Sequence, residues 1–130
     1  MKQLNYQTLQ DLNYDGYLLN EAPERVLQFG EGNFMRAFVD FFIDKMNETA
    51  NFNSKVVLVQ PIPKFTTPDV GDFINEQEGL YTLYLRGSEN GQEVSSKRVI
   101  SCISRCLNAY SDYEAVLECA KNHEMRIITW

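Results

Sequence analysis

The feature that most constrains this chain is an abrupt change of hydrophobic period on either side of two closely spaced glycines. Arg25-Val26-Leu27-Gln28-Phe29 is a short apolar run that ends at Gly30. From Asn33 the apolar residues recur at helical steps instead: Met35, Phe38, Val39, Phe42, Ile43 and Met46. That spacing predicts one helix with these side chains on its buried face and Arg36, Asp40 and Asp44 on the other side. A stretch rich in Asn and Thr, residues 47–53, ends it. Lys55-Val56-Val57-Leu58-Val59-Gln60 is then continuous and β-branched, as a strand buried on both faces of a parallel sheet should be, and Pro61 and Pro63 stop it. Parallel strands need a crossover of a dozen or more residues, which the helix supplies. The result is a strand–helix–strand unit with a glycine turn at its first corner.

A corner of this kind has a chemical use. Where a strand turns into a helix, one glycine permits the tight turn and a second lets bare main chain approach a diphosphate, while the helix start offers unpaired N–H groups to the anion. Gly30 and Gly32 stand at those two places. The third glycine of the GxGxxG pattern would fall at Met35, so the signature is incomplete, and GxG alone also occurs in purely structural turns. Its context points to nucleotide binding. The candidate cofactor residues are Phe29, Gly30, Glu31, Gly32, Asn33, Phe34 and Arg36, joined by Gln60. Arg36 opposes the helix dipole, so it pairs either with Glu31 or Asp40 or with a bound anion. Gln60 ends the second strand, where an Asp or Glu would take a ribose 2′-hydroxyl. An amide does not repel a 2′-phosphate and Lys64 lies close by in sequence, so both NAD and NADP stay open.

Around this unit the chain divides into a tyrosine-rich arm, residues 1–24, and an incomplete NAD-binding domain, residues 25–130. Leu80-Tyr81-Thr82-Leu83-Tyr84-Leu85-Arg86 alternates, Glu89-Asn90-Gly91 turns, and residues 93–103 return, which predicts an antiparallel hairpin inserted over about 80–104. Ser111 and Glu114 have capping-box spacing and predict a helix through about Lys121. Met125 to Trp130 reads as a further strand. The fold class expected is α/β and Rossmann-like, a mostly parallel sheet with helices on its faces. A chain that stops on an apolar strand with no helix to cover it is expected to be a fragment lacking a C-terminal catalytic domain.

Composition narrows the function. Twelve basic against eighteen acidic residues give a formal charge of −6, which argues against a nucleic-acid partner. No segment approaches the roughly 20 apolar residues of a membrane helix. Cys102, Cys106 and Cys119 form no CxxC pair, and with His123 as the one histidine no metal site is expected; free thiols suit a reducing cytoplasm. His123 has no evident nucleophile to serve. Asp69, Asp72, Glu76 and Glu78 read as a solvated polar loop, and the aromatic residues as core and hairpin pairs.

The string Gln28-Phe29-Gly30-Glu31-Gly32-Asn33-Phe34-Met35-Arg36-Ala37-Phe38-Val39-Asp40 resembles the sugar-acid reductases of the mannitol dehydrogenase family of long-chain polyol dehydrogenases. The similarity continues through Val56 to Ile62, Gly79 to Thr82, Arg86-Gly87, Tyr110 to Tyr113 and Glu124 to Arg126. This resemblance implies NADH-dependent, reversible reduction of D-tagaturonate to D-altronate in hexuronate breakdown, with a Rossmann-type domain followed by a helical domain. It places the cofactor segment on Val26 to Ala37. The family's catalytic Lys, Asn and His fall in the helical domain, so no catalytic residue is expected here and the chain alone is expected to be inactive. Two alternatives remain at this point: a Rossmann-type domain for another ligand such as S-adenosylmethionine or a flavin, and a non-catalytic module that responds to NAD.

Overall fold

The computed structural model describes residues 2–130. Its centre is a parallel sheet of four strands in the order β5-β2-β1-β6, with β1 at Glu24–Phe29, β2 at Lys55–Gln60, β5 at Ile103–Asn108 and β6 at Ile127–Thr129. All three pairings are parallel, and Phe29 stands in register with Val59. β2 is buried along its whole length, as its β-branched run requires. Its side chains alternate between two cores. Val56 and Leu58 join Val26, Ile43, Ile74, Ile100 and Ile103 on one face; Val57 and Val59 join Leu27, Leu107 and Cys119 on the other.

The inserted hairpin forms as expected, β3 at Tyr81–Glu89 against β4 at Gln92–Ile100. Asn90 and Gly91 both have positive φ, 53° and 78°, the backbone that a tight two-residue hairpin turn demands. The insertion ends at Ile100 and does not run to about 104. Ile103 already opens β5, a strand of the main sheet that the sequence pattern concealed, because Ser104 and Arg105 interrupt its apolar run. The N-terminal segment contains a short helix, α1 (Tyr6–Asp11), whose Leu9 packs on Leu80 and Val99.

The helix after the glycine turn departs from expectation. It is two helices, α2 (Asn33–Ala37) and α3 (Val39–Ala50), separated at Phe38. The buried residues of α3 are Asp40, Ile43, Asp44 and Asn47, whereas Phe38, Phe42 and Met46 are exposed. A polar face is turned inward because the neighbouring chain offers matching hydrogen-bond partners. Asp44 accepts from the Ser101 amide at 2.9 Å and from Arg98 Nε at 2.8 Å. Asn47 brackets Ser54, donating to its carbonyl and accepting from its amide, both at 2.9 Å. The phenylalanine rings left outside pack on one another, with centroids 5.3 Å and 4.9 Å apart.

Residues 70–76, expected as loop, form α4 (Val70–Glu76), capped by a reciprocal box between Asp69 and Asp72. The Ser111 and Glu114 box does not form. The amide of Ser111 is taken by Asn108 Oδ1, and α5 (Tyr113–Cys119) starts after Asp112.

Because Asp44 is fully buried, its carboxylate depends on Arg98. Arg98→Met is expected to lower the unfolding free energy by about 3 kcal/mol in urea titration. Glu48→Gln, which removes Arg98's more exposed partner, should change it by less than about 1 kcal/mol. Equal small losses would show that the buried pair does not anchor the hairpin.

Candidate functional site

The carboxyl ends of β1, β2 and β5 deliver the candidate residues to one edge. Phe29, partly exposed, closes β1, and Gly30 follows with φ +138°, a conformation that side chains rarely adopt. Both polar groups of Gly30 are engaged. Its N–H donates to the Val59 carbonyl at 2.9 Å, and its carbonyl accepts from Gln28 Nε2 at 3.0 Å. The turn is thereby pinned to β2 from one side and to β1 from the other.

Gly32 caps α2 in extended backbone, φ −67° and ψ 167°, and a Cβ built on it meets no atom within 4 Å. Glycine is not needed there for the chain's own conformation, so what its missing side chain leaves is space. The first helical bond runs from the Arg36 N–H to the Gly32 carbonyl at 3.2 Å, so the amides of Asn33, Phe34 and Met35 precede it and face the helix end. A linked pair of phosphates needs this arrangement of bare main chain with donors behind it. Since α2 has only five residues, these local N–H groups and not a long helix dipole make the corner attractive to anions.

Arg36 pairs with neither Glu31 nor Asp40 through a carboxylate. Its Nε donates to the Glu31 carbonyl and its Nη2 to Asn33 Oδ1, both at 2.7 Å, and its guanidinium lies over the Tyr81 ring. It braces the glycine loop from inside. Phe34 is largely exposed beside the corner.

Gln60 is buried and committed. Its Nε2 donates to Asp69 Oδ2 at 2.8 Å, and its Oε1 accepts from Asn108 Nδ2 at 3.3 Å. The carboxylate at the end of the second strand is therefore that of Asp69, held out by Gln60 and the Asp72 amide. Sequence reasoning missed it; the Asp-x-x-Asp cap spacing was the available signal. Lys64 is drawn to Asp72 and lies 3.9 Å from Asp69. Next to these residues a cavity of about 300 Å³ is lined by Ile62, Pro63, Phe65, Val70 and Phe73, with Gln60 and Asp69 at its polar side. His123 is exposed and lies before β6, away from this edge.

Asp40 sits beneath the corner, fully buried, with Oδ2 accepting from Gln28 Nε2 at 3.1 Å. Burial raises its pKa to about 7 against the pull of Gln28 and Arg36.

The profile of the mannitol dehydrogenase Rossmann domain matches residues 24–130. The chain belongs to that family. Among the family's relatives, it is 43% identical to the altronate oxidoreductase of Bacillus subtilis (strain 168), a match covering 92% of this chain and 24% of the relative. The altronate oxidoreductase of Phocaeicola vulgatus is 46% identical over 90% of this chain and 24% of its own length. In structure the chain is similar to Pseudomonas fluorescens mannitol 2-dehydrogenase in a ternary complex with NAD and D-mannitol, with a TM-score of 0.76, 26% identity, and coverage of 99% of this chain and 26% of that one. A D-sorbitol dehydrogenase in substrate-free form gives a TM-score of 0.79 at 25% identity, covering 96% of this chain and 26% of the other. The chain thus spans about a quarter of the length of the relatives it matches.

In this member of the mannitol dehydrogenase family, Asp40 makes stability depend on pH. An unfolded aspartate ionises near pH 4, whereas Asp40 does so at about 7 when folded. Folding therefore takes up a proton between these values, and stability falls as pH rises from about 4 to about 7, then levels off. The total is up to about 4 kcal/mol at 1.36 kcal/mol per pKa unit. Asp40→Asn is expected to flatten that part of the pH–stability curve in denaturant titrations; a slope unchanged by the substitution would place the proton elsewhere.

Proposed function

We propose that this chain binds NAD across the carboxyl edge of its sheet, as the cofactor-holding part of an oxidoreductase that interconverts D-tagaturonate and D-altronate, the tagaturonate reductase (altronate oxidoreductase) reaction. The reading rests on the open corner at Gly32 and on an apolar cavity at the end of the neighbouring strand β2. The diphosphate takes the amides of Gly32 to Met35, with Phe29, Gly30 and Glu31 shaping the loop and Arg36 holding it. Asn33 and Phe34 border the same opening. The adenosine half lies toward Ile62, Phe65 and Phe73, with its ribose at Asp69 and Gln60.

Bound there, NAD supplies the hydride chemistry, and the residues of this chain bind and orient it. Asp69 favours NAD over NADP, since a carboxylate repels a 2′-phosphate and Lys64 is already neutralised by Asp72 and Asp69. Similarity to altronate oxidoreductases supports the sugar-acid substrate, and similarity to a mannitol 2-dehydrogenase that holds NAD supports the cofactor. No residue of this chain is assigned a catalytic role. No helix among the described residues is long and apolar enough to cross a membrane, and the unpaired thiols of Cys102, Cys106 and Cys119 fit a reducing cytoplasm.

Titration with NADH, followed by calorimetry or by energy transfer from the exposed Trp130, is expected to show saturable binding, with none for S-adenosylmethionine. Gly32→Val keeps an allowed backbone and fills the opening. It should weaken NADH binding by about a hundredfold or more, near 2.7 kcal/mol, and leave the thermal unfolding midpoint close to that of the parent. Undiminished affinity in that variant would overturn the assignment of the corner.

A further inference from the structure

We propose that Asp40 is a positioning residue for the glycine corner, fixing the Gly30 carbonyl through Gln28 and taking up a proton as the diphosphate settles above it. The proposal rests on the NAD reading and extends it to how that site is regulated by pH.

Its basis is one shared donor. Gln28 Nε2 donates both to the Gly30 carbonyl, at 3.0 Å, and to Asp40 Oδ2, at 3.1 Å. A single amide nitrogen thus links α3 to the turn whose φ of +138° sets the course of the loop. Gln28 and Asp40 are both fully buried, and among the described residues Gln28 Oε1 and Asp40 Oδ1 have no hydrogen-bond partner. Two buried acceptors without donors are costly, and a proton on the carboxyl adds a donor to the pair.

The surroundings favour that proton. Arg36 on α2 draws the carboxyl toward ionisation, but Asp44 on α3 and, above all, burial oppose it. Tyr81 of β3 and the Cys102 thiol just before β5, which donates to the Asp40 carbonyl at 3.3 Å, are themselves pushed up, by burial first and then by Asp40. Arg98 of β4 is engaged by Asp44, and Lys55 of β2 acts on Asp44 and Cys102. A dianionic diphosphate brought to the corner adds negative potential, which favours the neutral carboxyl further. Binding and protonation then strengthen one another, and by linkage NADH affinity falls as pH rises through neutrality.

Calorimetric titration with NADH in two buffers of different ionisation enthalpy reads the proton directly. Fractional proton uptake is expected near neutral pH, with affinity falling severalfold between about pH 6 and about pH 8.5. Asp40→Asn, which keeps an acceptor for Gln28 Nε2 but cannot ionise, should bind NADH with neither the uptake nor the pH dependence. Asp40→Ala should bind about tenfold more weakly across the range. Binding without proton uptake in the parent protein, or an unchanged pH profile in Asp40→Asn, would overturn the proposal. If NADH fails to bind at any pH, the NAD reading falls first. Carboxyl carbon NMR of the unliganded protein then decides the rest: titration of Asp40 near neutrality supports its buried proton, and titration near pH 4 overturns it.

Discussion

The hydrogen bond from the Gly30 amide to the Val59 carbonyl is the contact on which the rest of the edge depends. It extends the parallel pairing of β1 and β2 by one residue beyond Phe29, so the chain leaves the sheet at a fixed place and in a fixed direction. The amide of Ala109 donates to the Gln60 carbonyl in the same way at the exit of β5. Each exit is thus tied to the neighbouring strand, and the segments that follow, Gly30 to Arg36, Pro61 to Asp69 and Ala109 to Asp112, gather along one side. In a parallel sheet this side is where loops and helix starts converge, so the chemistry of the chain is concentrated there by connectivity.

Below that edge several polar side chains are buried beside the apolar core. α3 turns Asp40, Asp44 and Asn47 inward, and each meets a defined partner: the corner through Gln28, the base of the hairpin through Ser101 and Arg98, the start of β2 through Ser54. Hydrophobic contact alone would hold α3 against the sheet in many rotations. Directional bonds to three separate segments select one, and they carry the position of the inserted hairpin to the corner along a single helix.

These partners explain what could be read in the sequence and what could not. Lys55 to Gln60 was legible because a central parallel strand demands β-branched residues throughout, and Asn90-Gly91 because few residues tolerate two consecutive positive φ values. The glycine corner was legible because a tight turn from strand into helix calls for glycine, as at Gly30. The buried face of α3 was not, since periodicity finds where apolar residues lie, whereas Asp40 and Asp44 are buried by partners as distant in sequence as Arg98 and Ser101. β5 escaped notice because Ser104 and Arg105 lie partly exposed on an edge strand and satisfy Glu24. Ser111 looked like a cap, but Asn108 had already taken its amide; Asp69 and Asp72 looked like loop and are the cap. Local patterns stay ambiguous wherever a tertiary partner displaces the local one.

The same competition bears on how an acidic chain can hold an anion. With a formal charge of −6 and Glu31, Asp69 and Asp72 close to the edge, long-range attraction for a diphosphate is absent. The two cations nearby are used internally, Arg36 to brace the loop and Lys64 to offset the α4 cap. Main-chain amides are what remains, and they are well suited to the role. They carry no rotamer entropy, are aimed by the turn at Gly30, and are uncovered by the missing side chain at Gly32. Affinity resting on such donors depends on the geometry of the loop far more than on ionic strength. Whatever fixes the Gly30 carbonyl therefore sets the quality of the site, and the groups that do so, Gln28 and Asp40, are buried where solvent cannot substitute for them.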